Sequence, residues 1–199
     1  MKIFNLYSGS WRSNCYLLAD TDAGVCAVID PSEDAGRIVR FADSKGLRIV
    51  QILLTHGHFD HILSVDTLRQ MTGAPLAMHT EDAECLFDSH KNAFDLVGGK
   101  GEYAPPEREL AEGSIVELGT HKIKVLHTPG HTKGSCCYAV DDCLFTGDTL
   151  FVGGYGRCDL YGGSYSEMRR SLDRLASLET DYKIFPGHGE SGRLKDEFN

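Results

Sequence analysis

Thr55-His56-Gly57-His58-Phe59-Asp60-His61 decides how this chain is to be read. It follows directly on Ile49–Leu54, a short and nearly continuous apolar run of the kind that forms a strand covered on both faces. Three histidines and an aspartate therefore fall within six residues at the end of one strand. Their alternating spacing lets a single tight loop aim several side chains into one place. A lone histidine is more often a satisfied polar residue. Three of them beside a carboxylate are hard to explain as structure, because every buried polar group needs a partner. Imidazole and carboxylate together suit zinc, and also iron or manganese.

Three further candidates lie at strand ends. His131 stands in Thr128-Pro129-Gly130-His131, after the strand that ends at His127. Asp148 follows Leu144-Phe145-Thr146-Gly147, and His188 follows Ile184-Phe185-Pro186-Gly187. Each sits where a strand delivers its last residue to a shared edge, beside glycine that permits close approach. That recurrence argues for one convergent site. His79, His90, His121 and His127 lack this setting and are assigned structural roles.

Working outward, Met1–Leu6 reads as a short strand. Tyr16–Leu18 and Val25–Ile29 read as strands around the turn at 20–24, so the chain opens as a β meander. Ser32 is expected to cap a helix carrying Ile38, Val39 and Ala42, with Gly46 as its stop. Ile62–Met71 is expected as a second helix, Leu76–Met78 as a strand, and Thr80 as the cap of a helix from Glu81 to Ser89. Residues 90–113 hold Gly98, Gly99, Gly101, Pro105 and Pro106 with few apolar side chains, and read as a long loop, either a lid or binding segment or a surface excursion. Ile115–Leu118, Lys122–His127, Cys136–Val140 and Leu144–Thr146 follow as strands. Ser164 and Glu167 form a capping box for a helix with the stripe Met168, Leu172, Leu175 and Leu178, before a last strand at Tyr182–Phe185. Strands followed by helices, twice over, predict an α/β fold in which two β layers are sandwiched between helices.

The chain has 199 residues, 41% of them hydrophobic and 25% charged, which suits a single α/β domain over 1–199. No apolar run approaches the roughly 18 residues of a membrane span, and the N-terminus lacks the pattern of a signal peptide, so a cytoplasmic protein without a membrane partner is expected. The net charge of −9 argues against a nucleic-acid partner. It leaves room for a small anionic ligand, since local cations can dominate one cleft. Seven cysteines, an odd number with no Cys-x-x-Cys, read as reduced thiols that fill the core.

His-x-His-x-Asp-His at 56–61, followed in order by His131, Asp148 and His188, resembles the metallo-β-lactamase superfamily over nearly the whole chain. The resemblance implies a four-layer αββα sandwich. It implies that His56, His58 and His131 hold one metal, that Asp60, His61 and His188 hold a second, and that Asp148 bridges them. Zinc is the first choice, with iron or manganese as alternatives. Lactamases of the commonest zinc type place Cys where Asp148 stands, and another type lacks the bridging Asp, so both are disfavoured. Phe145-Thr146-Gly147-Asp148-Thr149-Leu150-Phe151, the run Gly153-Gly154-Tyr155-Gly156-Arg157-Cys158-Asp159, Gly162-Gly163-Ser164, and the ending at Pro186–Gly189 and Phe198-Asn199 are similar to the short bacterial glyoxalase II-like (hydroxyacylglutathione hydrolase-like) proteins. The C-terminal helical region with which full-length enzymes grip glutathione is not expected in a chain ending at Asn199.

That likeness implies hydrolysis of an anionic thioester such as S-D-lactoylglutathione by hydroxide formed on two divalent metals, which lower the pKa of a bound water from roughly 15.7 toward 7. Asp60 and Asp148 would be the acidic groups of the catalytic centre. Arg157, with Tyr155 beside it, is a candidate for orienting the substrate, and Arg157 reads equally well as an ion-pair partner of Asp159. Two rival readings stand beside this one. Persulfide dioxygenases resemble the chain, including the segment Gly156–Asp159, and use a single iron at a site resembling His56, His58, His131 and Asp148. A non-catalytic, metal-stabilised binding protein is the other, although structural zinc sites are usually closed four-ligand sites.

Overall fold

In a computed structural model, which describes residues 1–7 and 11–198, the strands form two six-stranded sheets. Asn199, the end of the family-like terminus, lies outside the described residues. The first sheet takes β1 (Lys2–Asn5), β2 (Tyr16–Asp20), β3 (Val25–Ile29), β4 (Arg48–Leu54), β5 (Leu76–His79) and β6 (Arg108–Leu110) in chain order. Its first three strands are the antiparallel meander, and β3 to β6 run parallel. The second sheet comprises β7 (Ile115–Leu118), β8 (His121–His127), β9 (Cys136–Val140), β10 (Cys143–Gly147), β11 (Lys183–Pro186) and β12 (Gly192–Arg193), again in chain order. It is antiparallel except between β10 and β11.

The period-2 alternation of these strands builds the layers. Along β2, Leu17 and Ala19 point to α1 (Ala35–Ser44) and α3 (Val65–Thr72), while Tyr16 and Leu18 point between the sheets. Along β9, Cys136, Tyr138 and Val140 fill the space between the sheets. Cys137 and Ala139 face the outer layer, where Leu175 of α4 (Tyr165–Ala176) is buried. The result is the expected αββα sandwich. All seven cysteines are free and all but Cys143 are buried. Burial raises the pKa of each buried thiol, which suits core filling and not nucleophilic chemistry. Among the described residues no helix is long and apolar enough to cross a membrane.

Several boundaries differ from expectation. Asp34, not Ser32, caps α1, accepting from Arg37 N at 2.8 Å. The Ser32 hydroxyl instead reaches the Ser13 carbonyl. The helix expected over Ile62–Met71 is two pieces, the single turn α2 (Phe59–Ile62) and α3. Ser64 separates them, because its N–H is drawn to the Pro31 carbonyl and its hydroxyl to that of Glu33. The helix expected after Thr80 is a 3-10 helix over Thr80–Phe87, capped by the His79 ring. The loop at 90–113 contains a 3-10 turn (Phe94–Val97) and strand β6. The capping box is half formed: Ser164 Oγ accepts from Glu167 N, while Ser164 N goes to the Gly130 carbonyl.

Tyr138 is fully buried between the sheets, and its hydroxyl donates to the Leu54 carbonyl at 2.6 Å, directly ahead of the His-rich loop. Tyr138→Phe removes that bond and leaves the carbonyl only the weak Cys136 thiol donor at 3.9 Å. Stability measured by urea unfolding is expected to fall by about 1–3 kcal/mol, and an unchanged midpoint would show that the bond contributes nothing.

Candidate metal centre

Four strand ends converge on one edge of the sandwich. β4 delivers His56, His58, Asp60 and His61, the β8–β9 connection delivers His131, β10 delivers Asp148 and β11 delivers His188. The first set comes from one sheet and the rest from the other. Close approach is needed here. A Cβ on Gly187 would lie 2.2 Å from Asp148 Oδ1 and 2.7 Å from His61 Cε1, so only glycine fits.

The seven side chains form two triads with a carboxylate between them. Ligand-type atoms of His56, His58 and His131 lie within 4.8 Å of one another, as do those of Asp60, His61 and His188. His58 Nδ1 is 2.8 Å from His131 Nε2, and His61 Nε2 is 3.4 Å from His188 Nε2. Asp148 Oδ2 stands 3.6 Å from His131 Nε2 and 3.5 Å from His188 Nε2, one atom facing both triads.

The outward ring nitrogens are held in place. His131 Nδ1 donates to the Arg157 carbonyl at 2.7 Å, and His188 Nδ1 to that of Arg12 at 3.1 Å. His61 Nδ1 meets Asp30 Oδ2 at 2.9 Å. Thr55 Oγ1 gives its proton to Asp30 at 2.6 Å, so it accepts from His56 Nδ1 at 3.1 Å. These bonds turn Nε2 of His56, His61, His131 and His188 inward, the arrangement by which metal-binding imidazoles are oriented, while His58 faces His131 through Nδ1. His56 Nε2 and Asp148 Oδ1 are buried with no hydrogen-bond partner. Leaving such atoms unpaired costs about 1–3 kcal/mol each. A divalent cation at each triad removes most of that cost, and the donor set of imidazole and carboxylate fits one.

Charge follows the same logic. Burial, reinforced by neighbouring imidazoles, holds His56 and His58 well below the usual histidine range. For His61 burial acts in the same direction, but Asp60, Asp148 and Asp30 outweigh it and carry the pKa up to about 10. Burial would raise Asp60, yet His61, His188 and the Ser13 hydroxyl pull it below the ordinary carboxylate range.

Asp30, Asp82 and Ser13 were not singled out in the sequence. Asp30 also lies within reach of His56 and His61. Its oxygens are already engaged by Thr55 N, Thr55 Oγ1 and His61 Nδ1, so it supports the triad without joining it. Asp82 accepts from Gly57 N, Thr132 Oγ1 and Gly134 N, tying the loop of His56 and His58 to the loop of His131. Burial raises its pKa against those three bonds. Ser13 Oγ donates to Asp60 Oδ2 at 2.8 Å.

A cavity of about 410 Å³ opens onto His58, Asp60, His131, Asp148 and His188. Arg157 lines it, with its guanidinium bound to both oxygens of Asp159 at 2.7 and 2.8 Å, the ion pair foreseen as its other role. Tyr155 does not line it. Tyr155 faces a separate hollow beside Tyr165 and Arg169. Of the histidines left out of the site, His79 stacks on His127 at 3.9 Å, His121 pairs with Asp141 at 2.9 Å and His90 with Asp95 at 3.0 Å.

Residues 9–188 match the model of the metallo-β-lactamase superfamily. The chain belongs to that superfamily. The "Probable metallo-hydrolase YqgX" of Bacillus subtilis (strain 168) is 34% identical, covering 95% of this chain and 90% of that protein. Hydroxyacylglutathione hydrolase of Maricaulis maris (strain MCS10) is 38% identical over 87% of this chain and 60% of its own length. Among solved structures, BLEG-1 B3 metallo-β-lactamase superposes with a TM-score of 0.92 at 32% identity, covering 99% of this chain and 96% of that one. TTHA1623 in a di-iron-bound form gives 0.86 at 32%, covering 98% and 97%. ETHE1 from Myxococcus xanthus gives 0.83 at 27%, covering 99% and 81%.

Asp30→Asn keeps a residue that tolerates the left-handed backbone found there (φ 51°) while removing the charge behind His61. Its affinity for zinc, measured by chelator competition, is expected to drop about 10–100-fold with an unchanged far-UV spectrum. Equal affinity would show that Asp30 serves the fold alone.

Proposed function

We propose that the protein is a dinuclear metal-dependent hydrolase of thioesters, related in chemistry to hydroxyacylglutathione hydrolase. The observation that supports it is Asp148, whose carboxylate lies between two complete triads. His56, His58 and His131 would hold one cation, Asp60, His61 and His188 the other, and Asp148 both. Zinc is the metal we favour, and likeness to a di-iron protein keeps iron under test. When bound, the two cations supply Lewis acidity for a carbonyl oxygen and lower the pKa of a water toward neutrality.

The chain's own residues set the geometry. Asp30, Thr55 and the carbonyls of Arg157 and Arg12 fix the imidazoles before any substrate arrives. Ser13 does the same for Asp60. The two aspartates facing the cavity, Asp60 and Asp148, bring negative charge that lets two cations sit side by side. The cavity gives a thioester access to that edge, which a closed structural metal site would not.

The mono-iron persulfide dioxygenase is the rival. It would employ His56, His58, His131 and Asp148 and leave Asp60, His61 and His188 with no cation to hold. Metal analysis paired with turnover separates the two. Two metals per chain and hydrolysis of S-D-lactoylglutathione are expected, whereas one iron with rapid oxygen uptake on glutathione persulfide overturns the hydrolase. A β-lactam belongs in the same assay, given the likeness to BLEG-1. His58→Ala is expected to lower kcat/KM on the thioester by more than about a hundredfold, beyond what loss of an outer hydrogen-bond partner gives, with the protein still folded. Retained activity would remove His58 from the centre.

A further inference from the structure

We propose that the outer half of the cavity is a preformed apolar wall that prefers a thioester whose flanking group is uncharged and hydrophobic over one on a charged carrier such as glutathione. This rests on the hydrolase reading for the chemistry and departs from it on the substrate.

The wall begins inside the metal loop. Phe59, between His58 and Asp60, lies flat against Phe94 with ring centroids 5.0 Å apart and planes 5° apart. Trp11 meets Phe59 edge-on at 4.9 Å. Phe94 is locked from behind, since a Cβ on Gly99 would come within 2.3 Å of its ring. Its segment is anchored by Asn92, which is fully buried, donates to the carbonyls of Cys85 and Gly101 at 3.0 and 3.2 Å, and accepts from Phe94 N. Phe59 N donates to the Asn92 carbonyl at 2.9 Å, so the wall and the ligand loop are one unit. The glycine-rich stretch expected as a long loop, with a lid or binding segment as one of its two readings, is the backing of this wall.

What the wall presents is apolar and open. Leu96 is 62% exposed, Val97 43% and Trp11 42%. Leu96 and Val97 line the same cavity as His58, Asp60, Asp148 and His188, with Phe151 and Leu160 also on its walls. Large apolar side chains left in water around a concave site mark a surface that a ligand covers. Among the residues that line the cavity, little of the positive charge that glutathione's two carboxylates need is present. Arg157, the cation lining the cavity, is matched by Asp159.

Trp11 is the single tryptophan of the chain, so its emission reports on the wall without reference to turnover. The test titrates the protein with S-alkyl N-acetylcysteamine thioethers from methyl to octyl, which are not hydrolysed, and with S-hexylglutathione. Calorimetry on the same pairs gives a second reading of Kd. Affinity is expected to rise about threefold to fourfold for each added methylene, and S-hexylglutathione is expected to bind no tighter than S-hexyl N-acetylcysteamine. Leu96→Ser, at an exposed position, is expected to weaken the hexyl compound about tenfold and leave the methyl compound unchanged. Affinity independent of chain length, absence of saturable binding by both readouts, or tenfold tighter binding of the glutathione conjugate overturns the proposal. These outcomes concern binding alone, so failure of thioester hydrolysis in the separate turnover assay would be told apart from failure of the wall.

Discussion

One buried carboxylate carries the geometry of this centre. Asp30 Oδ2 touches His61 Nδ1 at 2.9 Å and takes the Thr55 hydroxyl at 2.6 Å, and Oδ1 takes Thr55 N at 2.8 Å. Asp30 occupies a left-handed backbone conformation at the end of β3, a position that costs on the order of 1 kcal/mol or more for a residue with a Cβ. Three charge-assisted contacts offset that cost. Through Thr55 the same carboxylate governs His56, and through His61 it governs the second triad. The entry angle of the His-rich loop is thus decided one strand away from the loop itself.

The layered architecture explains why a site can form there at all. Between the sheets the core is apolar, with Tyr138 and Phe145 among its largest buried members. At one edge of that layer polar groups replace the apolar ones. Asp82 illustrates how the edge is closed: its carboxylate satisfies two backbone N–H groups and the Thr132 hydroxyl, joining loops from both sheets. Burial in that setting strengthens each polar contact and raises the cost of any left unmade, which is why the unpaired His56 Nε2 and Asp148 Oδ1 speak for a cation.

Much of this was legible in the sequence because the centre is written in local patterns. His131, Asp148 and His188 each follow an apolar run and a glycine, so a reader following strand ends finds them. The sheet faces were equally visible, since Cys136-Cys137-Tyr138-Ala139-Val140 sorts into two layers by simple alternation. What escaped is non-local. Asp30 stands at the end of a strand before a proline, and Asp82 lies within the segment expected as a helix after Thr80. Nothing near either residue in sequence hints at the loop it serves. The break at Ser64 was hidden for the same reason, being set by carbonyls at Pro31 and Glu33. Tyr155 shows the reverse case: it is near Arg157 in sequence, yet it lines a different hollow.

The division of the triads between sheets has a mechanical meaning. His56, His58, Asp60 and His61 hang from the first sheet, and His131, Asp148 and His188 from the second. Each triad draws on both sources, so a cation in either one is a rivet through the sandwich, closing loops that span much of the chain. Prying the sheets apart would require stripping the metal, and the free concentration of that metal would set part of the protein's stability. The centre would then act as a clasp for the fold as well as a reaction centre, and a chelator would loosen the sandwich at the very edge where substrate enters.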